Sequence, residues 1–154
     1  MRNITLILLL LVAMQVLQSC VDNSATFPEE ADGVYYGNLS VDDYTERVGI
    51  SIVENASSQV DVFFNDVKFA KGMPVRIDMT VKGVASQNTD GILSFSAKNI
   101  DPYVNKEQKP QPKYRFAEIS GVVVGKELVL SAMMSDSLKG SFAGNKFSFR
   151  GTCK

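Results

Sequence analysis

Alternation of apolar and polar residues at every second position is the property that most restricts what this chain can fold into. In residues 74–84 (PVRIDMTVKGV), Val75, Ile77, Met79 and Val81 fall on one side of an extended chain, and Arg76, Asp78, Thr80 and Lys82 fall on the other. A helix would need apolar spacing near about 3.6 residues, which this stretch does not offer.

The same pattern recurs. Residues 33–41 (GVYYGNLSV) are rich in aromatic and β-branched types and stop before the acidic turn Asp42-Asp43. In 47–54, Val48, Ile50 and Ile52 oppose Gly49, Ser51 and Val53; after the turn-forming 55–58 (NASS), Val60, Val62 and Phe64 resume the period. Residues 66–73 read as a loop whose Phe69 covers one end of the core. Asp90-Gly91 is a hairpin signal, and Leu93, Phe95 and Ala97 follow it on one face. Residues 99–113 contain Pro102, Pro110 and Pro112, which exclude a regular ladder and predict an irregular loop. Strands are predicted over 114–124, 127–134 and 146–153, with turns at Gly125-Lys126 and 140–145.

The beginning of the chain has a different character. Arg2 precedes an apolar run, residues 4–17, too short for a membrane-spanning helix and of signal-peptide length. It ends in Leu17-Gln18-Ser19-Cys20, which resembles a lipobox, the site of bacterial lipoprotein signal peptidase. The resemblance implies a signal peptide over 1–19, cleavage before Cys20, and acylation of that cysteine, which makes the membrane a partner. Residues 20–32 are polar and aperiodic, as a tether should be, and the domain occupies 33–154. The alternative for Cys20 is a bridge to Cys153, the other cysteine of the chain. Surface-exported lipoproteins of some gut Gram-negative bacteria resemble one another in a dense acidic cluster after the cysteine. Here Asp22, Glu29, Glu30 and Asp32 are spread out, which favours the periplasmic side of the outer membrane over the cell surface.

Composition removes several functions. The mature part carries 15 basic against 17 acidic residues without a basic patch, which argues against nucleic acid. With no histidine, the commonest zinc ligand and general base are missing; no cofactor and no enzymatic activity are expected. Ser135 and Lys139 have a Ser/Lys-dyad spacing that chance explains better, and Asp42, Asp43 and Glu46 suit a solvated turn as well as a calcium site. Asp136-Ser137-Leu138 resembles the short motif at which related bacteria O-glycosylate exported proteins, which marks Ser137.

About eight short strands joined mostly by tight turns predict an all-β, antiparallel up-and-down barrel, with a β-sandwich as the alternative. The layout resembles the calycin-like (lipocalin-like) lipoproteins of Bacteroides-type bacteria. The resemblance rests on Gly33-Val34-Tyr35-Tyr36-Gly37-Asn38-Leu39, on residues 64–73 leading into Pro74-Val75-Arg76-Ile77, and on Phe147-Ser148-Phe149-Arg150-Gly151. The glycine-x-tryptophan signature of true lipocalins is absent, because the chain has no tryptophan. Two functions follow as expectations. The first is burial of a small apolar or amphipathic ligand in the barrel mouth by Tyr36, Phe64, Met79, Phe95, Tyr114, Phe116 and Phe147. The second is a packed barrel that serves an envelope protein partner through its loops, above all 101–113. A filled interior would leave only the second.

Overall fold

The structure is a computed structural model that describes residues 33–55, 58–136 and 143–154. The predicted signal peptide, the tether, Cys20 and Ser137 lie outside the described residues. Nine strands account for most of the rest: β1 (Val34–Val41), β2 (Tyr44–Asn55), β3 (Gln59–Val67), β4 (Ile77–Thr89), β5 (Ile92–Ile100), β6 (Tyr103–Val104), β7 (Phe116–Val124), β8 (Glu127–Met134) and β9 (Lys146–Thr152).

All pairings are antiparallel, and each long strand pairs with its neighbours in sequence. The ring closes where β9 returns to β1, Tyr36 facing Thr152 and Val41 facing Phe147. The result is the expected closed barrel of eight strands, with β6 as an addition that lies on β4 beside Met79 and Thr80. The barrel corrects several expected boundaries. β4 begins at Ile77 rather than Pro74, because proline has no N–H to give a ladder, and it runs on to Thr89. It passes through a bulge in which Gly83 takes a left-handed conformation (φ 69°) and donates its N–H to Asp61 Oδ1 at 2.8 Å. β6 falls within the stretch expected to be wholly irregular; its two residues sit between Pro102 and Pro110.

The barrel has two unlike ends. The tight turns at 90–91 and 125–126, the end of β2 and the start of β3 lie at the end where the described chain enters at Gly33 and leaves at Lys154. The long connections 68–76 and 101–115 lie at the other end, with the Asp42-Asp43 turn, the last residue of β8 and the first of β9. We call these the entry end and the loop end.

Inward positions hold the core: Leu39 and Val41, Val48 and Ile50, Val60, Val62 and Phe64, Met79 and Val81, Leu93 and Phe95, Ile119 and Val123, Leu128 and Leu130, Phe147 and Phe149 are all buried. Outward positions are mostly polar: Asn38 and Ser40, Glu127 and Ser131, Lys146, Ser148 and Arg150. A barrel in hydrocarbon needs the reverse, an apolar outer band about 25 Å tall. Most of this wall lacks such a band.

Glycine makes the ring narrow enough. Gly37 and Gly151 face each other across the β1–β9 seam, where a Cβ on Gly37 would overlap the backbone carbonyl of Arg150. A backbone carbonyl of the ladder cannot swing aside. Gly37→Ala is therefore expected to destabilise the barrel by about 3 kcal/mol in denaturant unfolding, the range of overpacking in a tight interior. Gly72→Ala, where a Cβ meets no atom within 4 Å, should leave the midpoint unchanged.

Candidate functional site

The loop end carries the features that a binding role would use. Its floor is aromatic. Residues 68–73 turn inward so that Phe69 enters the barrel and lies 5.4 Å from Phe64, edge to face, and 5.2 Å from Phe147. Phe116 closes the group, stacked on Phe64 at 6.1 Å and edge-on to Phe147 at 5.7 Å. Two hydrogen bonds hold the plug in place: the Phe69 N–H donates to Met73 Sδ at 3.4 Å, and Asn145 Nδ2 donates to the Phe69 carbonyl at 3.2 Å.

Above this floor runs a polar brace. Glu46 on β2, whose side chain is only 10% exposed, accepts the Lys68 N–H at 2.9 Å, Arg76 Nη1 at 2.8 Å and the Tyr44 hydroxyl at 2.8 Å. Arg76 Nε donates onward to the carbonyl of Asp66 at 2.8 Å and to its Oδ2 at 3.0 Å. The Asp66 N–H donates to Asp78 Oδ1 at 2.9 Å, and Asp78 N–H donates to Asn105 Oδ1 at 3.2 Å. One chain of hydrogen bonds thus joins β2, the 68–76 loop, β4 and the turn after β6. Asp43 turns instead to Lys71 at 3.6 Å, so Asp42, Asp43 and Glu46 do not gather round a common point as a calcium site requires.

Residues 101–115 form a closed loop rather than a flap. Arg115 grips Asp101 with both Nε (2.6 Å) and Nη2 (2.9 Å), so the two ends of the loop are tied. The Gln111 N–H donates to the Pro102 carbonyl at 2.7 Å, and Gln111 Nε2 bonds the Glu107 carboxylate. At the tip, Asn105 and Lys106 both have positive φ (50° and 62°) and the Glu107 N–H returns to the Val104 carbonyl at 3.0 Å. That is the geometry of a type I′ turn, which normally takes glycine at its second central position. Lys106 stands there instead and points a charge into solvent at a conformational cost. Lys113 lies 5.1 Å over the ring of Tyr114, and Lys82 4.4 Å over that of Tyr103.

The residues expected to line a ligand pocket divide three ways. Phe64, Met79, Phe95, Phe116 and Phe147 are inside the barrel and buried. Tyr114 is half-buried at the loop-end rim, against the core. Tyr36 is outside: the parity set by Leu39 and Val41 turns Tyr35 inward, and the Tyr36 ring lies over Gly49 on the outer wall. The inward group fills its space. A void wide enough for water would leave accessible surface on the side chains around it, yet Phe64, Phe69, Phe116, Phe149, Leu39, Ile50, Met79, Ile119, Leu128, Leu130 and Met134 have less than 2%. Phe95 and Phe149 lie across the inward glycines Gly121 and Gly151, which have no side chains to hold them off.

The sequence patterns had not suggested a row of hydroxyls that crosses the outer wall in register, Thr45, Ser40, Ser148, Ser131, Ser120 and Ser96. Ser40 and Thr45 are 3.1 Å apart, Ser120 and Ser131 3.3 Å. Two shallow open hollows lie along this row. Such cross-strand pairs stabilise a sheet by about 0.2–1 kcal/mol each.

No family model and no curated protein matches the chain. Among solved structures it is similar to the crystal structure of a candidate outer membrane protein from Bacteroides fragilis, with a TM-score of 0.52 at 18% identity, over 78% of this chain and 50% of that one. At this identity the likeness concerns the fold. The chain spans about half the neighbour's length.

Two outcomes test the site. Phe69→Ala should cost about 4 kcal/mol and open an apolar cavity that stays dry and takes up xenon or benzene, whereas the unaltered protein should bind neither; uptake by the unaltered protein would mean the barrel is not filled. The second concerns acid. The Arg115 hydrogen bonds, against the opposing effect of partial burial, hold the Asp101 carboxyl below its ordinary value. A lowered carboxyl stabilises the folded state above the unfolded carboxylate range and loses that contribution as pH falls through its folded value. The protection of the Glu107 and Gln111 amides, measured against the intrinsic exchange rate at each pH, should therefore fall in acid before that of β7 and β8, and Asp101→Asn should show the lowered protection at neutral pH.

Proposed function

We propose that the protein is a lipid-anchored, non-catalytic barrel of the cell envelope, calycin-like in layout, that serves a protein partner through its loop end. The observation that carries this is the filled interior: the aromatic residues that would line a ligand pocket pack against one another and are sealed by Phe69. Capture of a small apolar molecule inside the barrel is the weaker alternative, since the side chains that would contact it already have their partners. What remains for recognition at the loop end is a fixed surface of loop tips, with Lys106, Lys109 and Lys113 exposed along 101–115.

The lipobox supports the anchor, and the Bacteroides fragilis neighbour, a candidate outer membrane protein, fits an envelope location. We place the barrel on the periplasmic side of the outer membrane, because the tether lacks a dense acidic cluster. Set against the anchor is the state of Cys153, which is buried and not a free thiol in the structure. Cys20 is the other cysteine of the chain, and a sulphur that carries a thioether-linked diacylglycerol cannot also form a disulfide.

One preparation tests both parts. The protein purified from its own envelope, with a photo-crosslinking residue at Gln108 or, as a control, at Ser131, is expected to carry the added mass of diacylglycerol and acyl groups on Cys20. It should also give a protein adduct from Gln108 alone. A chain lighter by two hydrogens that resists alkylation in denaturant would establish a bridge and overturn the anchor. A co-purifying small molecule with no Gln108 adduct would overturn the partner role.

A further inference from the structure

The barrel's exposed apolar residues are not scattered. Of the six large apolar side chains exposed among the described residues, five lie in the entry-end half of their strands: Val53, Ile92, Val122, Val124 and Val129, with exposures from 39% to 53%. The sixth, Val75, is at the loop end.

Four of the five are contiguous. Ile92 faces Val124 across β5 and β7, Val122 faces Val129 across β7 and β8, and Val122 and Val124 share the outward face of β7. They form one apolar corner at the entry end of an otherwise polar wall. Its charges balance. Glu127 is paired with Arg150 at 3.1 Å, and the neighbouring turns supply one acid, Asp90, and one base, Lys126. An occupant of this corner would be held by apolar contact rather than by charge.

The described chain begins at this same end, at Gly33, and residues 20–32 precede it. We infer that this corner rests on the lipid surface, with β5, β7 and β8 leaning against the headgroup and upper acyl region and the loop end directed away. The inference rests on the anchored reading of Cys20. Residues 20–32 can span at most about 45 Å, so an acylated Cys20 keeps the barrel's entry end within reach of the membrane. Tethering of this kind gives effective concentrations on the order of millimolar, enough to populate a contact too weak to hold a free protein. A small apolar corner of four residues is such a contact. Because the local charges cancel, the seat should need no anionic lipid and should change little with salt.

The absence of tryptophan makes the test clean. Single-tryptophan variants Val124→Trp, Ile92→Trp and Val75→Trp, each in the full chain and processed by a lipoprotein-exporting host, are bound to phosphatidylcholine vesicles with or without dibrominated acyl chains. Val124→Trp and Ile92→Trp should lose at least half their emission on the brominated vesicles at low and at high salt, and Val75→Trp should keep its own. Vesicle-bound protein whose Val124→Trp and Ile92→Trp emission is unquenched would overturn the seat and leave the anchor standing. Emission that changes with protein concentration in the absence of vesicles would overturn it in favour of a second copy as occupant. Protein that carries no acyl mass and fails to float with vesicles would overturn the anchor, and the seat with it.

Discussion

Closure of β9 onto β1 is the constraint on which the rest of the barrel depends. An open sheet of these strands would expose two edges and one apolar face; the ring removes the edges and turns every apolar half-strand inward. An eight-stranded ring has an interior just wide enough for side chains. It closes here because Gly37 and Gly151 bring no side chain to the seam, and the lumen is filled because Phe95 and Phe149 extend over Gly121 and Gly151. The core is therefore an alternation of the largest and smallest residues, in which the glycines make room for the rings.

The two ends then part in character. At the entry end the turns at 90–91 and 125–126 are tight; at the loop end the segments 68–76 and 101–115 must be ordered against their own conformational entropy. They are ordered by two devices: an apolar plug, Phe69, and a polar chain from Tyr44 and Glu46 through Arg76, Asp66 and Asp78 to Asn105. The carboxylates of Glu46 and Asp78 hold the backbone at Lys68 and Asp66, and those of Glu46 and Asp66 hold the Arg76 guanidinium. A surface fixed in this way is a shape already formed, and pre-forming a shape reduces the ordering cost of any association.

Much of this was legible in the letters, and the parts that were not share a cause. Alternation from Ile77 to Lys82, the Asp90-Gly91 turn and the role of Phe69 as a cover are local patterns, and all three appear in the structure; Val75, expected on the inward face with Ile77, instead lies ahead of β4 and is 60% exposed. β6 was invisible because Tyr103-Val104 is a strand only by virtue of β4 beside it. The orientation of Tyr35 and Tyr36 depends on which of two adjacent aromatics follows the parity of Leu39. Whether Phe64, Phe95, Phe116 and Phe147 line a pocket or fill a core depends on the ring's diameter and on glycines far away in sequence. Residue identity does not carry either quantity.

The order of assembly follows from the same pairings. Most strands in the ring pair with a neighbour close in sequence, so hairpins can form as the chain emerges, whereas β1 with β9 joins residues more than a hundred positions apart. Contacts of such separation bear the largest loop-closure cost and tend to form late. Until they form, β1 and β9 are bare edges beside an uncovered core, which is when a β protein is most exposed to aggregation. Gly33 and Lys154 lie at the entry end, but the seam itself runs the length of the barrel, from Tyr36 and Thr152 there to Val41 and Phe147 at the loop end.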